Sequence, residues 1–237
     1  MILYKYFTHK GNIRIENQDY YGHLELGESN LFIVCDGMGG AQGGATASRL
    51  CVDVMKESFQ VTDDRIYDIK YSIKCGNTAV YEKAGSSPDY FGMGTTVCAV
   101  FLNDDEYFSC WVGDSRIYHL KGQEILWRSR DHSQLNHFLD QGMSPDEAQR
   151  MAKPNMIMRA VGTKSNVDVD GYGSVLGMGE KLLISSDGLH GFLAEEEIVN
   201  TIASNGIDVA GEKLMSRVLS SEINAPDNVT FCIIEKV

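Results

Sequence analysis

No stretch of this 237-residue chain approaches the roughly 20 consecutive apolar residues that a membrane-spanning helix needs. Positive charge is also in short supply. Lys and Arg number 21 against 33 Asp and Glu, a net charge of −12, which argues against nucleic acid or an anionic membrane as a partner. The six cysteines (Cys35, Cys51, Cys75, Cys98, Cys110 and Cys232) include no Cys-x-x-Cys pair, and most lie inside apolar runs. That disfavours a disulfide framework and fits buried, reduced thiols. Internal repeats, low-complexity tracts and interdomain linkers are missing too. Residues 1–237 are therefore expected to form a single domain, long enough to bury a core without staples. Residues 1–7 are too short and too mixed for a signal-peptide core, and the expected location is the cytoplasm.

What the chain does contain is acids at the ends of apolar runs. Leu31-Phe32-Ile33-Val34-Cys35 reads as a buried strand and delivers Asp36 into the glycine cluster Gly37-Met38-Gly39-Gly40. Alone, Asp-Gly signals a hairpin turn. The pattern recurs, however, in Lys181–Ser186 before Asp187-Gly188, and in Tyr107–Val112 before Gly113-Asp114. It is inverted where Asp227-Asn228 precedes Val229–Ile234. Four such acids can converge on one sheet edge, and Asp19 is a fifth candidate. Carboxylates on rigid strands, with little nitrogen or sulfur nearby, suit hard divalent ions such as Mg²⁺ or Mn²⁺. Arg14 offers a guanidinium that recognises phosphate in a bidentate fork, although a lone arginine equally suits a solvated surface.

The remaining pattern is α+β. An opening strand is expected at 2–7 and helices near 45–59 and 65–84, where apolar residues recur at helical spacing. A meander of strands follows between Gly94 and Trp127, then helices near 195–205 and 209–221, and a last strand at 229–234. Strands segregated from helices argue against a doubly wound parallel sheet. Residues 131–158 break the strand rhythm. Asp131-His132-Ser133 can cap one short helix, and Ser144-Pro145-Asp146-Glu147 is a capping box for another, so this pair reads as an insertion or lid.

Laid out in order, the chain resembles the metal-dependent protein serine/threonine phosphatases, the PPM family, in its bacterial form. The likeness is carried by Arg14-x-x-Asn17-Gln18-Asp19, Asp36-Gly37-Met38-Gly39-Gly40, Gly94-Thr95-Thr96, Gly113-Asp114-Ser115-Arg116, Asp131-His132-Ser133, Arg159-Ala160-Val161-Gly162, Ser186-Asp187-Gly188-Leu189 and Asp227-Asn228-x-Thr230. It implies an α-β-β-α sandwich of two mostly antiparallel sheets flanked by helices, with a small helical lid at about 136–157. It implies hydrolysis of phosphoserine and phosphothreonine by attack of a metal-bridging hydroxide. Two Mn²⁺ or Mg²⁺ ions per chain are expected: Asp36 bridging both, the Gly37 carbonyl serving one, Asp187 and Asp227 holding the other. Asp114, with Asp187, matches a third metal site. Asp19 would orient metal-bound water, and Arg14 would hold the substrate phosphate. The expected partners are phosphorylated proteins and their serine/threonine kinases, with the chain acting as a monomer.

The chain also departs from the family pattern. Animal-type members carry a histidine, assigned as general acid, where this chain has Met38. Methionine cannot protonate a leaving alkoxide, and His132 fits a structural role better than that of a replacement. Bacterial members often have His-Pro in the lid where this chain has Lys153-Pro154. The lid methionines Met143, Met151, Met156 and Met158 suit an adaptable surface, with half-buried core the safer reading. Three alternatives stand beside the general phosphatase: a dedicated partner-switching phosphatase, a phosphoprotein-binding module of the same fold, and another two-metal hydrolase. The lid argues against the first, the filled ligand positions against the second, and the ordered motifs against the third.

Overall fold

The computed structural model describes residues 1–153 and 155–237. Of the Lys153-Pro154 departure, Pro154 lies outside the described residues. Two antiparallel sheets are stacked face to face. One has the order β1 (Ile2–His9), β11 (Val229–Lys236), β10 (Lys181–Ser185), β7 (Arg116–Lys121), β8 (Glu124–Arg128). The other has the order β2 (Asp19–Leu26), β3 (Ser29–Met38), β5 (Val97–Asn103), β6 (Glu106–Val112), β9 (Asp170–Val175), with the short β4 (Gly94–Thr95) paired to the end of β3. The helices α1 (Gly40–Ser58) and α2 (Arg65–Ala84) cover the outer face of the second sheet. The helices α6 (Glu195–Ala203) and α7 (Ile207–Leu219) cover the outer face of the first.

This four-layer arrangement explains the continuous apolar runs. A strand buried on both faces has no polar side to alternate with. In β3, Leu31, Ile33 and Cys35 pack toward α1 and α2, while Phe32 and Val34 pack between the sheets. In β11, Phe231 and Ile233 face the α6–α7 layer and Cys232 and Ile234 the interior. Five of the six cysteines are buried and all are free thiols. No described helix is long and apolar enough to cross a membrane.

Most elements fall where the periodicity places them; β2 is a strand that it does not announce, and three further differences stand out. Helix α1 begins at Gly40, five residues before the expected start near 45. Gly43 and Gly44 hide that first turn because glycine disfavours helix, yet only glycine fits there, packed on Met93 and on Gln18. Strand β9 was not anticipated, since Gly171 and Gly173 dilute its apolar signal. The third difference concerns the lid methionines: Met151, Met156 and Met158 are exposed rather than half-buried core.

Between β8 and β9 lie α3 (Gln134–Asp140) and α4 (Pro145–Met151). Ser133 caps α3, and Ser144 with Glu147 forms the expected capping box on α4. A bridge between Ser133 and Ile157 closes the base of this excursion.

Candidate metal centre

The acids converge at one end of the sandwich, and they come from both sheets rather than from a single sheet edge. Asp36 lies near the end of β3 and Asp19 opens β2, each the other's partner in the ladder. Asp114 sits in the turn from β6 to β7, which passes from one sheet to the other. Asp187 follows β10 as the first residue of the single turn α5 (Asp187–His190), and Asp227 precedes β11. Asp36, Asp114, Asp187 and Asp227 line one cleft of about 670 Å³, together with Arg14, Gly37 and Met38. Asp19 is buried and does not reach the cleft wall.

Backbone fit holds these elements together. A Cβ on Gly37 would stand 2.1 Å from the Gly44 carbonyl oxygen and 2.6 Å from that of Gln18, so no side chain is possible there. A Cβ on Gly188 would stand 1.8 Å from the carbonyl oxygen of Asn228. Glycine at 188 therefore lets the segment carrying Asp227 press against the turn carrying Asp187. Asp36 is fixed through its main chain. Its N–H donates to Thr96 Oγ1 (3.0 Å), and its carbonyl accepts from Thr96 N (2.8 Å) and Thr95 Oγ1 (2.9 Å).

Electrostatically the cluster is strained toward protonation. Burial, reinforced by the charges of Asp19, Asp187, Asp114 and Asp227, drives the Asp36 carboxyl well above the usual range. Burial pushes Asp19 up to about 7 despite hydrogen bonds that favour its anion. Burial and then Asp187 push Asp114 up to about 7. Asp187 is raised by burial and then by Asp227. Asp19 Oδ2 accepts from Ser186 Oγ at 2.8 Å, but the buried Oδ1 has no hydrogen-bond partner among the described residues. An unpartnered buried carboxylate oxygen within a ring of repelling acids is what a cation would resolve.

The donor set fits Mg²⁺ or Mn²⁺. Among the described residues no three His, Cys, Asp or Glu side chains close on one point as a complete cage. The acids that line the cleft do offer carboxylate oxygens, the hard donors that such ions take. Arg14 Nη2 donates to Asp227 Oδ2 at 2.8 Å, which places its exposed guanidinium at the rim of the cleft.

Of the two residues weighed as proton donors, neither is suited. Met38 lines the cleft but has no proton to give. His132 Nδ1 accepts from Gly113 N at 3.0 Å, while the backbone N–H of His132 donates to the Gly113 carbonyl at 2.8 Å. Burial, and then the neighbouring Arg159, lowers its pKa and favours the neutral ring. With Arg116 holding Asp131 through a bidentate pair (2.9 and 2.8 Å), the 131–133 motif clamps the turn that presents Asp114. Its role is structural, as expected.

Three further residues, all within the family motifs, hold the cluster together. Ser186 links Asp19 to Thr230 N, and Thr96 fastens Asp36. Asn228 accepts from Gln18 N and donates to the Lys10 and Glu16 carbonyls, tying the Arg14 loop to the segment bearing Asp227. Ser186 and Asn228 each adjoin a candidate ligand in sequence, and that adjacency is an available signal, whereas Thr96 lies 60 residues from Asp36.

Residues 12–222 match the family model described as protein phosphatase 2C. The chain is 28% identical over 234 residues to protein phosphatase PhpP of Streptococcus pneumoniae, covering 96% of this chain and 94% of that protein. The crystal structure of serine/threonine phosphatase Stp1 from Staphylococcus aureus superposes with a TM-score of 0.88 at 30% identity, over 100% of this chain and 96% of that one. The catalytic domain of the serine/threonine protein phosphatase PstP, solved in complex with two manganese ions, superposes with a TM-score of 0.83 at 26% identity, over 99% and 97% of the two chains.

Proposed function

The chain belongs to the protein phosphatase 2C family, and from that premise we propose that the cleft ringed by Asp36, Asp114, Asp187 and Asp227 is its metal centre. The protein is a metal-dependent protein serine/threonine phosphatase. The observation that carries the assignment is the convergence of these carboxylates, short of counter-charge, on one cleft beside Arg14. Asp36 and the Gly37 carbonyl with Asp187 and Asp227 would hold two ions, Mn²⁺ or Mg²⁺, and Asp114 with Asp187 a third. When bound, such ions lower the pKa of water and neutralise charge on the entering and leaving oxygens of a phosphate monoester.

The chain's own groups supply the rest. Arg14 takes the substrate phosphate in a bidentate fork, sharing or exchanging its contact with Asp227. Asp19, held by Ser186 and paired with Asp36 across the ladder, would orient water bound at the centre once ions fill the cleft. The leaving alkoxide takes its proton from water, because the cleft wall offers no acidic side chain with a proton to spare once the carboxylates are ionised. Residues 1–237 act as one catalytic domain, and 136–157 as a lid, two of whose residues, Asn155 and Ile157, line the cleft. That contact favours a phosphatase acting on phosphoproteins generally over one devoted to a single regulatory partner.

The test is phosphate release from a phosphothreonine peptide with Mn²⁺, with Mg²⁺ and with EDTA, beside the Asp187→Asn protein. Release that requires the metal and is lost in the variant supports the assignment. No release by the wild type with either metal, across several phosphopeptides, would sink it.

A further inference from the structure

The loop that carries Arg14 exposes two isoleucines, one on each side of it. Ile15 is 97% exposed and Ile13 60%. Apolar residues at such exposure are common on mobile loops, but this loop is anchored at both ends. Asn12 N donates to the Ala225 carbonyl at 2.9 Å, and Asn12 Nδ2 to that of Leu219 at 3.1 Å. At the other end Asn228 Nδ2 donates to the Glu16 carbonyl at 2.9 Å, and Gln18 N to Asn228 Oδ1 at 2.8 Å. The segment between thus borders the cleft, and Ile13 and Ile15 are both among the residues that line it. On the lid side Ile157 lines the same cleft, and its neighbour Met156 is exposed. Arg14 is the one cation among the described residues of the cleft wall, while Glu16 adds a further carboxylate.

We propose that Ile13 and Ile15, facing Ile157 across the cleft mouth, form an apolar collar that selects phosphoproteins with aliphatic or aromatic side chains near the phosphorylated residue. The inference rests on the phosphatase reading above. A phosphoresidue reaching Arg14 in an extended chain turns the side chains two residues before and after it toward the enzyme, since alternate residues share a face. Those side chains meet the collar, and their burial there removes apolar surface of both partners from water. An acidic side chain in the same place meets Glu16, the ring of aspartates and a net charge of −12, with Arg14 already committed to the phosphate.

The test uses synthetic phosphothreonine peptides identical except at the positions two before and two after the phosphothreonine. Both positions are Leu, Ser, Glu or Lys, and p-nitrophenyl phosphate serves as a small control, all with Mn²⁺. The wild type is expected to favour the Leu peptide over the Ser peptide by about tenfold in kcat/KM. In the Ile13→Ser/Ile15→Ser protein that ratio falls to less than about twofold, whereas Ile13→Leu/Ile15→Leu keeps it. Reading the ratio within each enzyme cancels any general loss of activity. A wild-type ratio near one, a preference for the Lys or Glu peptide, or a Leu preference that survives in the double-serine protein would overturn the collar while the phosphatase reading stands. Failure to hydrolyse even p-nitrophenyl phosphate would overturn that reading and the collar with it.

Discussion

Asp19 and Asp36 stand directly opposite each other across the antiparallel ladder of β2 and β3. Like charges in that relationship destabilise a sheet, and here Asp19 is also buried while Asp36 is half-buried on the cleft wall. On the reading proposed above, the end of the sandwich is built at a cost that a divalent ion recovers. Mn²⁺ at 100 times its dissociation constant should add about 2.7 kcal/mol to stability. For a chain of this size that raises the melting temperature by about 5–10 °C. EDTA should reverse the shift, and Asp36→Asn should abolish most of it. A melting temperature indifferent to both metal and chelator would contradict the assignment of the cluster.

On the reading proposed above, Arg14 holds phosphate, not metal. Arg14→Ala should lower kcat/KM for a phosphopeptide by about 10–100-fold, chiefly through KM, as expected for one charged hydrogen-bonding group. Mn²⁺ affinity, measured by calorimetry, should not fall, because the substitution frees Asp227 from a competing cation. A large loss of metal affinity instead would mean that Arg14 organises the ligands.

Ser186 is fully buried and joins two strands' ends through two bonds, donating to Asp19 and accepting from Thr230 N. Ser186→Ala strands both partners without water, which should cost about 1–3 kcal/mol in urea unfolding. Ser186→Thr keeps the hydroxyl and tests whether the loss follows the hydrogen bonds. If both variants unfold like the wild type, the link carries no weight.

His132 sets an acid limit. Its folded pKa lies below the ordinary 6.5, so the unfolded chain takes up the proton first and the fold loses stability as pH falls below 6.5. The loss is at most about 1.4 kcal/mol per pH unit. His132→Asn keeps an acceptor for Gly113 N without the titration. Between pH 7 and 5 the wild type should therefore lose more stability than the variant. Parallel curves would show that the ring titrates as it does in the unfolded chain.

The candidate site was legible because Asp36, Asp114 and Asp187 combine two local signals, an apolar run and an Asp-Gly or Gly-Asp turn, and because the order of the eight family motifs is specific. The helices α2, α6 and α7 were legible from their apolar stripes. What stayed hidden depends on partners distant in sequence. Strand β9 exists because β6 offers it a ladder, and two glycines leave it no pattern of its own. The first turn of α1 is dictated by backbone fit at Gly43 and Gly44, not by propensity. Ser186, Thr96 and Asn228 act through hydrogen bonds spanning 44 to 218 residues, which no local window contains.

The excursion bearing α3 and α4 leaves from β8 and returns to β9, and these are the outermost strands of opposite sheets. Beyond the Ser133–Ile157 bridge, changing its length disturbs no strand pairing, and doubling a loop adds only about 0.6 kcal/mol of closure entropy. The fold thus separates an exchangeable module from a fixed one. A foreign segment could be grafted between residues 133 and 157 to redirect which proteins are admitted, while every carboxylate of the cleft stays on its original strand.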